Sequence, residues 1–165
     1  MKRAALLLLL SLAGCGLRPL YGGGAGATVA TALAGVEVAP IEGKAGWLVG
    51  NALRDRLGGQ AGAAPRHRLQ VRLDDRITGL GVRRDDAVTR ERRILRARYQ
   101  LLDAADGAVL LDATAGSDAG IDVVGSEYAT IAAENTALER LSGIVADQII
   151  ARVATYVQRT SPEKP

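Results

Sequence analysis

Arg68-Leu69-Gln70-Val71-Arg72-Leu73-Asp74 decides the fold. Apolar and polar residues alternate, so Leu69, Val71 and Leu73 point to one side and Arg68, Gln70, Arg72 and Asp74 to the other. A period of two marks a half-buried β-strand. The rhythm returns downstream. Leu95, Ala97, Tyr99 and Leu101 share one side; Arg92, Ile94, Arg96, Arg98 and Gln100 share the other. Between these strands, 78–87 holds Gly79, Gly81, Asp85 and Asp86 and reads as a loop. Asp106-Gly107 marks a turn within the loop Asp103 to Gly107. A third long strand, about Ala108 to Ala119, then returns along the second as a hairpin.

Upstream, Val36 to Ile41 is a short apolar-rich stretch stopped near Pro40, a first strand. Trp47 to Leu57 carries Val49, Leu53 and Leu57 at intervals of four, one face of a helix. Gly58-Gly59 ends it. Downstream, Ser126 is placed to cap a helix whose stripe runs through Leu138, Leu141, Val145, Ile149, Val153 and Tyr156. That helix extends for about 30 residues, long enough to cross a whole sheet, and stops before Pro162. The order is β-α-β-β-β-α. Each strand has one apolar face and each helix one apolar stripe. The expected class is therefore α+β, two helices packed on one face of a four-stranded mixed sheet. The first strand and helix cross over to a parallel neighbour, and the later strands pair antiparallel.

The N-terminus carries a different signal. Met1-Lys2-Arg3 precedes the apolar run from Ala4 to Leu10, and Leu12-Ala13-Gly14-Cys15 closes it. A basic start, a short greasy core and a small-residue stop make an export signal. The run is shorter than the roughly 20 apolar residues that span a bilayer. Leu12-Ala13-Gly14-Cys15 resembles the bacterial lipobox, in which the cysteine is lipidated and becomes the first residue. The expected organisation is a signal peptide over 1–14, a lipidated tether over 15–35, one α+β domain over 36–160 and a tail over 161–165. The tether opens on Gly22-Gly23-Gly24. Cys15 is the sole cysteine, so a chain lipidated there forms no disulfide.

Charge balance says little, charge placement more. The formal net charge is +3, and loss of Lys2 and Arg3 reduces it to +1. Yet residues 66–98 hold 11 arginines against five carboxylates. Arg68, Arg72 and Arg76 share one side of the first long strand. Arg90, Arg92, Arg96 and Arg98 share one side of the next. Antiparallel pairing with apolar faces aligned would gather them into one outward panel. Guanidinium forks bind phosphate or carboxylate in pairs and stay charged at any working pH. The panel suits an anionic lipid headgroup. A plain solvated outer face accounts for the same pattern, since a one-sided antiparallel sheet must have one.

No pattern in the chain points to catalysis. His67 is the sole histidine and starts a strand. No metal-binding spacing, phosphate-cradling glycine loop or cofactor motif is present. Neighbouring residues on a strand diverge, so Asp74-Asp75 makes no acid pair. Nucleic-acid binding is disfavoured by the export signal and by an aromatic content of 3%.

Gly14-Cys15-Gly16-Leu17-Arg18-Pro19-Leu20-Tyr21 resembles the mature start of the lipopolysaccharide-assembly lipoprotein family LptE, in its alphaproteobacterial form. Ser126-Glu127-Tyr128-Ala129, leading through Ala133-Glu134 to Ala146-Asp147-Gln148-Ile149, resembles the same group. The resemblance implies a non-enzymatic lipoprotein on the periplasmic side of the outer membrane, anchored in its inner leaflet through Cys15. It implies a plug that helps assemble the lipopolysaccharide-exporting β-barrel LptD and that binds lipopolysaccharide. Gly16 after the cysteine agrees with outer-membrane sorting as seen in enterobacteria. The rival expectation is a free-standing periplasmic carrier of an anionic lipid.

Overall fold

The computed structural model describes residues 33–58, 64–82, 88–123 and 125–160. In chain order the elements are β1 (Val36–Val38), α1 (Gly43–Leu57), β2 (His67–Val82), β3 (Val88–Asp103), β4 (Val109–Asp122) and α2 (Glu127–Thr160). The sheet order is β1-β2-β3-β4, with β1 parallel to β2 and the other pairs antiparallel. This is the expected α+β fold, both helices on one face of a four-stranded mixed sheet. The expected signal peptide, Cys15, the expected tether as far as residue 32 and the tail lie outside the described residues; Leu33 to Gly35, expected in the tether, are described, and Leu33 is buried in the core.

Several bounds differ from the sequence expectation: β1 ends at Val38 rather than near Pro40, and β4 runs on to Asp122. The stretch 78–82 continues β2, and β3 resumes at Val88. Cross-strand pairing carries Gly79 and Leu80 as strand despite glycine's weak propensity. The helix expected from Trp47 starts at Gly43. Gly46 permits this early start: a Cβ there would lie 2.5 Å from the Ile41 carbonyl oxygen. At the other end Gly58 adopts φ 61°, and its N–H bonds the Arg54 carbonyl at 3.3 Å. That left-handed stop favours glycine.

The core is the meeting of three apolar surfaces. Val49 and Leu53 of α1, Leu69, Leu95 and Leu101 of the sheet, and Val145, Ile149 and Val153 of α2 are fully buried. Tyr156 is partly buried and packs against this core, and Val157 beside it is buried. Lys44 donates to Asn135 and Arg56 to Asp147, both pairs 91 residues apart in sequence. Equal separation at both ends means that α1 and α2 run parallel. Ser126 Oγ accepts from the Ala129 N–H at 3.4 Å, a long cap for α2. The β3–β4 turn is held by side chains: Asp103 accepts from the Ala105 N–H and Asp106 from the Ala108 N–H. Gly107 there has φ 74°.

Candidate functional site

The register of β2 on β3 puts the arginines together. Arg72 lies across from Arg98, Asp74 from Arg96, Arg76 from Ile94 and Thr78 from Arg92. Directly opposed residues share a face. Arg68, Arg72, Arg76, Arg90, Arg92, Arg96 and Arg98 therefore all occupy the outer face, opposite the helices, and all are exposed.

The strand β4 brings something the alternation of β2 and β3 does not contain. Asp112, Asp118 and Asp122 lie across from Gln100, Ile94 and Arg90, on the same outer face. Arg98 bonds Asp112 at 3.0 Å, Arg90 pairs with Asp122 at 3.1 Å and Arg92 with Asp118 at 3.4 Å. Arg76 pairs with Asp74 at 2.8 Å, and Arg68 with Glu37 of β1 at 3.5 Å. Among the described residues, no carboxylate lies within ion-pair distance of Arg72 or Arg96. The face is a checkerboard of charge with two exposed guanidiniums left over. Arg96 stands on β3, between β2 and β4, and Arg72 on β2 beyond the end of β1.

The electrostatics follow the contacts. Hydrogen bonds from Arg98, then Gln100, hold the Asp112 carboxyl below the usual carboxylate range. The reciprocal bond raises Arg98 above its ordinary value. Exposed pairs of this kind contribute about 0–1 kcal/mol each to stability. Their effect is to cancel charge locally and fix side-chain direction.

The inner face holds an ion pair that parity in β3 signals, since Arg93 stands two residues before Leu95. Arg93 Nε donates to Asp75 Oδ1 at 2.9 Å and Nη2 to Oδ2 at 2.6 Å. Its Nη1 donates to the Glu134 carbonyl of α2 at 2.9 Å. The two side chains are 11% and 23% exposed. Asp74 and Asp75 thus diverge, one to each face. This clip ties the far half of the β2–β3 hairpin to the start of α2. Nearby, burial and then repulsion from Glu134 push the Glu91 carboxyl above its usual value.

Among the described residues, no group of three or more potential metal ligands is present. No described helix is long and apolar enough to cross a membrane.

A helix pair covering one face of a four-stranded sheet is a fold shared with several small bacterial lipoproteins of solved structure. A putative lipoprotein from Caulobacter crescentus is 24% identical, with a TM-score of 0.66 over 79% of this chain and 96% of its own. Rare lipoprotein B from Shewanella oneidensis is 12% identical, with a TM-score of 0.56 over 73% and 92%. A minor lipoprotein from Acinetobacter baumannii is 15% identical, also at 0.56, over 73% and 91%. These likenesses show the shared fold. The sequence profile of the lipopolysaccharide-assembly family LptE matches residues 33–153, and the chain belongs to that family. No curated protein matches it by sequence. Its role lies in lipopolysaccharide assembly.

Proposed function

We propose that the protein is an outer-membrane lipoprotein, anchored through Cys15 on the periplasmic side, that plugs and helps assemble the LptD barrel. It acts by binding, without turnover, and its outer sheet face engages lipopolysaccharide. The family match over 33–153 carries the role. A polar, ion-paired sheet face suits the polar lumen of a large barrel better than it suits lipid. Within that face, Arg72 and Arg96 are the groups with unspent charge, and phosphate is a natural partner for their forks. The remaining arginines, Arg68, Arg76, Arg90, Arg92 and Arg98, serve lipopolysaccharide as a second rank, because each must first give up a carboxylate.

The test is lipopolysaccharide binding by the double variant Arg72→Glu/Arg96→Glu. Surface changes shift stability by about 0.5 kcal/mol or less each, so the variant folds. Affinity falls, and wild-type affinity weakens with salt as the Debye length shortens from about 10 Å at 0.1 M. Arg152→Glu/Arg159→Glu on α2 binds as wild type. Equal binding by the folded sheet variant and wild type refutes the lipid role of this face.

A further inference from the structure

The two edges of the sheet are treated differently. On β4, the side chain of Gln148 reaches from α2 to the strand's outward main chain. Its Oε1 accepts from the Gly116 N–H at 3.0 Å and its Nε2 donates to the Gly116 carbonyl at 3.3 Å. An edge plugged in this way cannot accept a further strand at its centre. On the other side, β1 is three residues long and faces only His67 to Leu69. Pro40, which lacks an N–H, stops β1 there.

Beyond Leu69 no strand among the described residues pairs with the outer edge of β2. The Leu69 carbonyl faces β1, accepting from the Ala39 N–H at 3.0 Å. Strand alternation turns the N–H and C=O of Val71, Leu73, Asp75 and Ile77 the same way. Among the described residues, no backbone group or side chain bonds them from that side. Every residue from Asp74 to Leu80 is exposed. Asp75 is exposed although its carboxylate is only 23% so, which means that the open surface there is main chain. At the start of this edge a groove of about 520 Å³ lies between Gln70 to Leu73 and the segment Ala39 to Glu42.

The side chains state what kind of strand fits. β1 shows the pattern: Glu37 lies directly across from Arg68 and pairs with it at 3.5 Å. Two alternations further, past Gln70, Arg72 presents the same guanidinium on the same face, with no carboxylate within ion-pair distance among the described residues. We propose that the edge of β2 from Val71 to Ile77 is a strand-acceptor site for an extended acidic segment of a partner protein. The segment adds main-chain bonds to the open edge and sets a carboxylate across from Arg72, as Glu37 does for Arg68. Such strand addition draws affinity from the backbone and selectivity from alternate side chains. The inference does not depend on the lipid role of the outer face, although an occupied Arg72 would be shared with it.

The test uses the full-length protein in detergent and two synthetic peptides. One alternates glutamate with valine; the other carries lysine in place of glutamate. The glutamate peptide should bind and slow amide exchange at Val71, Leu73 and Ile77, leaving the β4 edge at Thr114 unchanged. Arg72→Glu should exchange the preference toward the lysine peptide. Ile77→Pro removes an outward N–H without touching the bonds to β3. It should weaken the peptide about tenfold, the value of roughly one hydrogen bond, and leave lipopolysaccharide binding intact. Absence of binding overturns the proposal. So does binding without slowed exchange on β2, or a glutamate preference that survives Arg72→Glu. Loss of lipopolysaccharide binding in the sheet-face variant alone bears on the lipid role and not on this edge.

Discussion

Asp75→Ala removes the carboxylate that Arg93 holds with two bonds, at 2.9 and 2.6 Å. The guanidinium stays in place with its side chain 11% exposed, keeping only the Glu134 carbonyl. Breaking a buried ion pair from one side costs about 3–5 kcal/mol, because a charge is stranded away from water. The Asp75 side chain is 23% exposed, so water offsets part of that cost, and about 3 kcal/mol is expected. Unfolding entropy near 2 cal/mol/K per residue, over the domain, turns this into a fall in Tm of about 10 °C. Thermal unfolding followed by circular dichroism of the purified protein measures it. Asp74→Ala, its sequence neighbour on the outer face, should shift Tm by less than about 2 °C, since the pair it breaks is exposed. Asp75→Ala/Arg93→Met should recover most of the loss, because the stranded charge is gone. Equal shifts for Asp74→Ala and Asp75→Ala would refute the assignment of the two carboxylates to opposite faces.

Three further outcomes follow from single contacts. The Asp112 carboxyl is held low by Arg98 and Gln100, so it adds stability above its unfolded pKa and loses it as pH falls through the folded value. Denaturant titrations between about pH 5 and pH 3 should show a shallower loss of stability in Asp112→Asn than in wild type. Glu91 has the opposite sign: its carboxyl is pushed up, and the stability linked to it is lost as pH rises through the folded value. Glu91→Gln should therefore raise the denaturation midpoint at neutral pH and change it little in acid. Gly46→Ala places a methyl 2.5 Å from the Ile41 carbonyl oxygen, which belongs to backbone and cannot swing aside. It should cost about 1–3 kcal/mol in chemical denaturation.

Much of this architecture was legible because burial on one face fixes parity. A one-residue slip in β2 would send Leu69 and Val71 to water, so alternation alone places the arginines opposite the core. The stripe in α2 was equally plain: it ends at Tyr156, partly buried against the core, with Val157 buried beside it. Local composition misled where pairing overrode it. Gly79 and Gly81 look like loop, yet β3 continues across from them as far as the pair Val82 and Val88. The neutralising carboxylates were hidden for another reason. Whether Asp112 meets Gln100 and Arg98 depends on the register of the β3–β4 hairpin, which includes an irregularity between Leu101 and Leu102. No pattern within one strand encodes that offset. Arg93 and Asp75 carried the right parity in the sequence, and only the approach of Glu134 from α2 reveals what they do.

The proposed plug role makes this chain one half of a barrel complex. Affinity isolation of the full-length, tagged protein from outer membranes in mild detergent tests it most directly, with every co-purifying chain identified by mass. One β-barrel protein, LptD, should co-purify in equal amount and resist salt that disrupts exposed ion pairs. A protein that purifies alone, carrying an anionic lipid and no barrel, would contradict the plug and establish the free-standing carrier in its place.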